Sequence, residues 1–502
     1  MAARQTGRTK TLGELGLTVK SGRTLRITGL SVDNRTVASG NLFGAMPGTK
    51  VHGARFVPAA IAAGAAAILT DAEGARIARD LAGDLIERHG IAVIVAEDPR
   101  QTLAYAAALW SGSQPEVMAA VTGTNGKTSV ATFTRQIWAT LGHEAINVGT
   151  TGVEGAWQAP LSHTTPEPIT LHRLLAGAAQ AGVTHGAMEA SSHGLAQRRL
   201  DGVQLKAAGF TNFTQDHLDY HASFDEYFDA KAGLFRRLLS PEGVAVVNLD
   251  GHRGGDMAQI AVDRGIQVLG VGRSERAQLR IVAHRYEPDG QILRFAWDGQ
   301  QHQVHLPLIG GFQAENVLVA AGLAIGCGDA PEDVFGTLSG LETVRGRMQK
   351  VAARSNGASV YVDYAHTPDA VSTALKAMRP HVMGRLVVIV GAGGDRDATK
   401  RPLMGQAAAE NADLVFVTDD NPRTEDPAAI RQAVLMGCPD ALEVGDRAEA
   451  ILRGVDALGP GDALLIAGKG HETGQVIGSS TYPFDDAEQA SVAVAALDGR
   501  LA

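Results

Sequence analysis

Val121-Thr-Gly-Thr-Asn-Gly-Lys-Thr-Ser129 is the stretch whose residue types and spacing point most directly to chemistry. Gly123 and Gly126 let a backbone curl until its N–H groups converge, Lys127 can reach terminal phosphates, and the Thr128 hydroxyl can hold Mg2+. A β-rich run, Val117 to Val121, enters the segment and a helix-forming run, Ser129 to Leu141, leaves it. Lys127 and Thr128 therefore sit at a strand-to-helix turn, where the helix dipole adds positive potential. The strict P-loop pattern has four residues between its glycines, and here there are two. Strand, Gly-Lys-Thr and helix together still point to a polyphosphate, with Gly123, Thr124, Asn125, Gly126, Lys127, Thr128 and Ser129 as the facing set.

Other segments offer acids, bases and cations. The predicted strand Thr184 to Met188 delivers Glu189, and Ser191-Ser-His-Gly194 follows. Ligands of open α/β sheets sit beyond the carboxyl ends of strands, so Glu189 and the phosphate loop are expected to share a crevice. Asp216-His217-Leu-Asp219-Tyr-His221 follows the strand Ala207 to Phe213. Its histidines are four apart without the usual glutamate of a zinc helix, which leaves an oxygen-preferring Mg2+ with Thr128, Glu189 and His217 as the favoured metal reading. Lys231, in the helical run Phe224 to Phe235, reads by itself as a solvated surface lysine. Asp33-Asn34-Arg35 reads as an Asx-type turn or as a polar face toward a ligand.

These segments need frames to position them. Residues 1–113 read as a small α/β unit, with strands Leu25 to Val32, Asn41 to Ala45 and Ala65 to Thr70 and a helix Ala54 to Gly64. Trp110-Ser-Gly-Ser-Gln-Pro115 has linker composition. Residues 114–345 alternate strand and helix as a parallel sheet requires; within them Gly310-Gly-Phe-Gln-Ala-Glu-Asn316 opens an Ala-rich helix. From 346 to 502 the pattern restarts, with strands Ser359 to Asp363, Leu386 to Val390, Leu414 to Thr418 and Ala463 to Ala467. Each ends in a polar loop: Asp363-Tyr-Ala-His-Thr-Pro368, Gly391-Ala-Gly-Gly-Asp-Arg-Asp397, Asp419-Asp-Asn-Pro-Arg423 and Gly468-Lys-Gly-His-Glu472. Four such loops at one edge of a parallel sheet make a site.

Composition narrows the classes. The 502 residues are long enough for about three domains, and 45% hydrophobic content with 60 glycines suits a turn-rich α/β chain. A net charge of −9 argues against non-specific nucleic-acid binding. Two cysteines, Cys327 and Cys438, exclude a disulfide framework. No apolar run approaches the ~20 residues needed to span a bilayer, and no signal peptide is expected, so the cytoplasm is the expected compartment.

Together these residues resemble the Mur ligase family, ATP-dependent amide-forming enzymes that build the peptide stem of bacterial cell-wall precursors, over essentially the whole chain. Thr122-Gly-Thr-Asn-Gly-Lys-Thr128 resembles that family's shortened phosphate loop. Thr164-Thr165, Glu189-Ala-Ser-Ser-His-Gly194, Asn212-Phe-Thr-Gln-Asp-His-Leu-Asp219 and Asp419-Asp-Asn-Pro-Arg423 are most similar to the member that adds the third stem residue. The resemblance implies a three-domain α/β protein: a small N-terminal UDP-binding domain, a central P-loop-type ATPase domain with a mostly parallel sheet, and a C-terminal Rossmann-like domain for the amino acid. It implies transfer of meso-diaminopimelate to the D-Glu side-chain carboxylate of UDP-N-acetylmuramoyl-L-alanyl-D-glutamate, with ATP as co-substrate and Mg2+ as cofactor, by a monomer.

The same resemblance assigns roles. Lys127, Glu189, His217 and Lys231 are catalytic, with Lys231 carbamylated into an anion that joins Thr128, Glu189 and His217 around metal. Asn316, Arg347 and Asp363 surround ATP. Val32, Asn34, Thr164, Thr165, Ser191, Gln197 and Arg199 contact the muramoyl-dipeptide substrate. Arg396, Asp420, Asn421, Pro422, Arg423, Gly468 and Glu472 receive diaminopimelate, with the planar fork of Arg423 on its far carboxylate and Glu472 on its far ammonium. Asn34 stands where relatives often carry serine, Gln313 where many carry asparagine, and Thr49-Lys50 are not the commonest choices. Three alternatives stay open: a sister ligase such as folylpolyglutamate synthase or another Mur ligase, a nucleotide-binding scaffold without catalysis, and a simple kinase.

Overall fold

The computed structural model describes residues 8–17, 24–48, 51–161, 163–214 and 223–500; Thr49, Lys50 and the Asp216–His221 segment with His217 lie outside them. Contacts gather the chain into two compact units. One comprises Met1–Lys127, Thr134–Leu269 and Gly322–Asp329; the other comprises Thr128–Phe133, Gly270–Ala321 and Ala330–Ala502.

The first unit begins with a two-stranded ribbon, β1 (Lys10–Thr11) with β2 (Arg26–Ile27), and a parallel sheet in sequential order, β3 (Gly29–Ser31), β4 (Asn41–Gly44), β5 (Ala67–Thr70) and β6 (Ala92–Val95). β4 and β5 are buried along their whole length, and β5 reads Ala-Ile-Leu-Thr, a continuous run as expected of a covered parallel strand. The helices Ala72–Arg88 and Pro99–Ser111 start where Asp71 and Asp98 accept from the backbone N–H groups of Gly74 and Gln101, at 2.7 and 3.0 Å. These caps satisfy otherwise orphaned donors.

The same unit holds β7 (Val117–Thr122), β8 (Ala145–Gly149), β9 (Gly152–Gly155), β10 (His185–Glu189), β11 (Leu205–Phe210) and β12 (Leu239–Asn248). Their spatial order is β12-β11-β7-β10-β8-β9, parallel except for the β8–β9 hairpin. After β7 the chain builds β8 and β10 on one side, then crosses to β11 on the other. The order reverses at the carboxyl end of β7, which is where doubly wound sheets bind ligands. The helix leaving that end, Lys127–Thr140, begins two residues earlier than its propensity predicts, because Gly126 at φ +87° ends the loop.

In the second unit, the last residues of β13 (Gln267–Gly272) pair in parallel with β14 (Leu279–Glu287), which continues into an antiparallel meander with β15 (Gly290–Trp297) and β16 (Gln300–Leu306). A six-stranded sheet follows from β17 (Gln349–Ala353), β18 (Ser359–Asp363), β19 (Leu386–Val390), β20 (Leu414–Val417), β21 (Leu442–Glu443) and β22 (Ala463–Ala467), in the order β17-β18-β22-β19-β20-β21. Only β17 runs antiparallel. β19 and β22 are buried throughout, with apolar clusters on both faces. A hairpin, β23 (Gly474–Ile477) with β24 (Ser480–Pro483), and the helix Asp486–Leu497 complete it. Among the described residues no helix is long and apolar enough to cross a membrane.

One ion pair ties this last helix down. The Arg447 guanidinium grips both oxygens of Asp486 at 2.7 Å, and neither side chain is exposed. Arg447 also donates to the Ala467 carbonyl at 3.0 Å. Replacing Arg447 by methionine leaves Asp486 as an uncompensated buried charge, and urea denaturation of the full chain should register a loss of ~3–5 kcal/mol. A loss below ~1 kcal/mol would mean the pair is dispensable.

Candidate functional site: a phosphate loop, a buried acid and an arginine-rimmed cavity

Gly123 turns the chain out of β7 at φ +151°, and a Cβ there would sit 1.9 Å from the Thr211 hydroxyl. Glycine is required by that approach as well as by conformation. The loop it begins is laced to the end of β11. The Thr124 N–H donates to the Asn212 carbonyl at 3.0 Å, the Asn125 N–H to Asn212 Oδ1 at 2.9 Å, and the Thr211 hydroxyl to the Asn125 carbonyl at 2.5 Å. Lys127 Nζ curls back onto the carbonyls of Gly123 and Thr124, at 3.0 and 2.8 Å. Thr128 and Ser129 are buried in the first helical turn.

Lys231 is not the surface lysine that its segment suggests in isolation. It is 1% exposed, lies over the Tyr227 ring at 4.4 Å, and donates to the Gly123 carbonyl at 2.7 Å. The cause is the face it occupies on the helix Phe224–Gly233, where Tyr227, Phe228, Lys231 and Ala232 are all buried. Two ammonium groups thus converge on one carbonyl oxygen.

Glu189 ends β10 in register with Val121 of β7, which places the acid and the phosphate loop on adjacent strand ends as expected. It is 1% exposed; Oε1 accepts from the Thr150 N–H at 2.7 Å and Oε2 faces the Thr150 hydroxyl at 3.4 Å. A Cβ at Gly149 would fall 2.0 Å from Oε1, so this glycine makes room for the carboxylate. Two sets of hydroxyls flank it. Thr150 meets Thr164 at 3.0 Å, Thr165 donates to the Glu189 carbonyl at 3.0 Å, and Ser191 joins Thr165 at 3.1 Å. Arg199 Nη1 donates to the Thr165 carbonyl at 2.6 Å and its other nitrogens grip Gln197 Oε1. Thr150 was not singled out in the sequence; its only sign is its place at the end of β8, beside β10.

Val32, Asn34, Gln197 and Arg199 line one cavity of about 680 Å3 in the first unit; Thr164, Thr165 and Ser191 do not. Arg35 and Arg100 also line it. Asp33 forms the expected Asx-type turn, accepting from the Arg35 N–H at 2.9 Å, and the Arg35 guanidinium beside it lowers its carboxyl pKa to about 2. Arg100 donates to the Pro47 carbonyl. Three arginines with apolar Val32, Phe43 and Leu103 suit a ligand that joins anionic groups to a flat ring.

In the second unit, Asp363 ends β18 and accepts from the N–H groups of Met348 and Ala365, at 2.7 and 2.9 Å. Burial raises its pKa, against the opposing pull of Arg347. The Arg347 guanidinium stacks 4.9 Å from the Tyr364 ring. Asn316 donates to Gln313 Oε1 at 3.1 Å, both buried in the helix Phe312–Gly326. At the ends of β20 and β22, Asp420, Asn421 and Gly468 are buried, Arg423 and Glu472 are half-buried, and Arg396, after β19, is exposed. Asn421 donates to Glu472 at 3.0 Å and Arg423 to the Gly394 carbonyl at 2.7 Å. The Gly468 N–H donates to the Asp363 carbonyl at 3.1 Å, so all four polar loops are bonded into one set.

Comparison with known proteins adds an independent line. The chain matches family models described as Mur ligase family, catalytic domain, over residues 26–123; Mur ligase middle domain, over 121–324; and Mur ligase, glutamate ligase domain, over 346–470. It is 49% identical over 477 residues to the UDP-N-acetylmuramoyl-L-alanyl-D-glutamate–2,6-diaminopimelate ligase of Bradyrhizobium diazoefficiens, covering 94% of this chain and 95% of that one. To the ligase of the same name from Caulobacter vibrioides it is 48% identical over 479 residues, covering 94% and 96%. A solved structure of a ligase so named superposes with a TM-score of 0.73 at 32% identity, over 98% of this chain and 99% of that one.

The loop geometry makes a direct prediction. Gly123→Ala should weaken ATP binding by about tenfold or more, read by calorimetric titration, because the new methyl forces Thr211 and the loop apart. Unchanged affinity would show that this backbone does not cradle phosphates.

Proposed function

The chain belongs to the Mur ligase family, and from that premise we propose that it joins meso-2,6-diaminopimelate to the D-Glu side-chain carboxylate of UDP-N-acetylmuramoyl-L-alanyl-D-glutamate, cleaving ATP to ADP and phosphate. The near-full-length likeness to relatives of that name carries the reading. We take residues 1–113 as the UDP-substrate domain, 114–345 as the ATP domain and 346–502 as the amino-acid domain. The protein acts as a cytoplasmic monomer.

The carboxylate attacks the γ-phosphorus, ADP leaves, and an acyl phosphate forms. Two anions must approach, and Lys127, already folded over the loop, screens them. The amine of diaminopimelate then attacks the acyl carbon and phosphate departs with one carboxylate oxygen. The donors near the loop suit a hard dication in part: Glu189 and Thr128 offer oxygen, whereas Lys231 as an ammonium donating to Gly123 does not. Carbamylation turns Lys231 into an oxygen ligand and removes one of two like charges from a shared carbonyl. Thr128, Glu189, His217 and carbamylated Lys231 would hold Mg2+, which would supply positive charge to the phosphate oxygens. Asn316, Arg347 and Asp363 are assigned to the nucleotide through the resemblance. The arginine-rimmed cavity takes the UDP-muramoyl substrate, with Arg35 and Arg100 added to Val32, Asn34, Gln197 and Arg199. Thr164, Thr165 and Ser191 orient its D-Glu end.

Diaminopimelate differs from lysine by a carboxylate at the far end. Arg423 suits a bidentate grip on it, with Arg396, Asp420, Asn421, Pro422, Gly468 and Glu472 forming the rest of that site. Lysine leaves Arg423 unmatched, at a cost on the order of a few kcal/mol.

Two measurements check this. Amine-dependent phosphate release should favour meso-diaminopimelate over L-lysine by roughly several hundredfold in kcat/KM, and equal turnover would sink the assignment of Arg423. Lys231→Ala should lose activity and regain part of it with added short carboxylates; a fully active Lys231→Ala would remove the carbamate.

A further inference from the structure

Lys469 is a fully buried lysine, without exposed side-chain surface, in the loop after β22. Its Nζ donates to Asn421 Oδ1 at 2.9 Å and to the Gly474 carbonyl at 2.7 Å. Two carboxylates face it, Asp420 Oδ1 at 3.5 Å and Glu472 Oε2 at 3.7 Å. Asp420 Oδ1 is buried and has no hydrogen-bond partner, so the ammonium is its nearest compensation. Burial lowers the Lys469 pKa, while Asp420 and Glu472 oppose that shift.

This ammonium and a backbone N–H together decide which way an amide points. Asn421 Oδ1 accepts from both Lys469 Nζ and the Val476 N–H, the latter at 2.9 Å. A reversed amide would set its NH2 against two donors. Nδ2 is therefore turned to Glu472 Oε2, at 3.0 Å. The buried charge, with the Val476 N–H, holds the amide of Asn421 and, through it, the carboxylate of Glu472.

We propose that Lys469 is a positioning residue for the incoming amino acid: its buried ammonium holds Asn421 and Glu472 in the arrangement that receives the far zwitterionic end of a diamino-dicarboxylate. The inference rests on the proposed ligase function. Lys469 is too deeply buried to touch substrate, so it acts on recognition of the amine and not on phosphoryl transfer.

The test is steady-state kinetics of full-length Lys469→Met and Lys469→Gln beside the wild type, with meso-diaminopimelate and L-lysine, after circular dichroism and thermal melting. The expected result is a KM for meso-diaminopimelate raised by about tenfold or more, KM values for ATP and the UDP-muramoyl-dipeptide within about twofold of wild type, and a reduced preference over L-lysine. An unchanged KM for diaminopimelate, or parallel changes in all three KM values, overturns the proposal. Failure of both variants to fold also overturns it, since Lys469 is then part of the scaffold. Phosphate release by the wild type that no amine stimulates counts against the ligase reading itself, which separates the two failures.

Discussion

A single carbonyl oxygen, that of Gly123, organises the phosphate loop. It accepts from Lys231 at 2.7 Å and from Lys127 at 3.0 Å, one lysine from a distant helix and one from the loop's own. Like charges sharing one acceptor repel, so the arrangement exists because other forces fix it: Gly123 is pinned against Thr211 and Asn212, and the helix Phe224–Gly233 buries Tyr227 and Phe228 beside Lys231. The sheet supplies the rigidity, and Lys127, folded over the loop, supplies positive charge where a polyphosphate would lie.

The same logic places the acid. Glu189 is carried one strand over from the loop, on β10 beside β7, with Gly149 hollowed out beneath it and Thr150 gripping it. Thr150 meets Thr164 on one side of Glu189; on the other, Thr165 bonds the Glu189 carbonyl and Ser191, and its own carbonyl takes Arg199 on the rim of the cavity that Arg35 and Arg100 also line. A buried polar side chain is costly unless satisfied, and the Thr165 hydroxyl both donates to the Glu189 carbonyl and accepts from Ser191. The second unit repeats the principle with loops instead of strand ends, joined through Asn421, Glu472 and Arg423.

Much of this was legible because parallel strands leave a strong trace. The C-terminal strands Ser359–Asp363, Leu386–Val390 and Ala463–Ala467 stand at the expected bounds, since short β-branched runs between turn residues have few other uses. The strand-to-helix turn at Gly123 to Lys127 was readable from its glycines. Lys231 was not, because nothing in Phe224 to Phe235 says which helix face a separate loop will cover; only resemblance corrected it. The meander β14 to β16 went unread although Asp298-Gly299, at φ +45° and +77°, is a strong hairpin signal between alternating runs. Arg35 and Arg100 were also missed: a cavity assembled from distant segments has no signature in any one of them. His217 lies outside the described residues.

In the proposed reaction a carboxylate is activated as an acyl phosphate before the amine attacks. The most direct measurement follows its oxygen. With UDP-N-acetylmuramoyl-L-alanyl-D-glutamate carrying 18O at both oxygens of the D-Glu side-chain carboxylate, ATP and meso-diaminopimelate, mass spectrometry of the released phosphate should find one 18O atom per turnover, carried over when the acyl–oxygen bond breaks. Phosphate free of the label, formed along with the amide product, would exclude the acyl phosphate and require another route of activation.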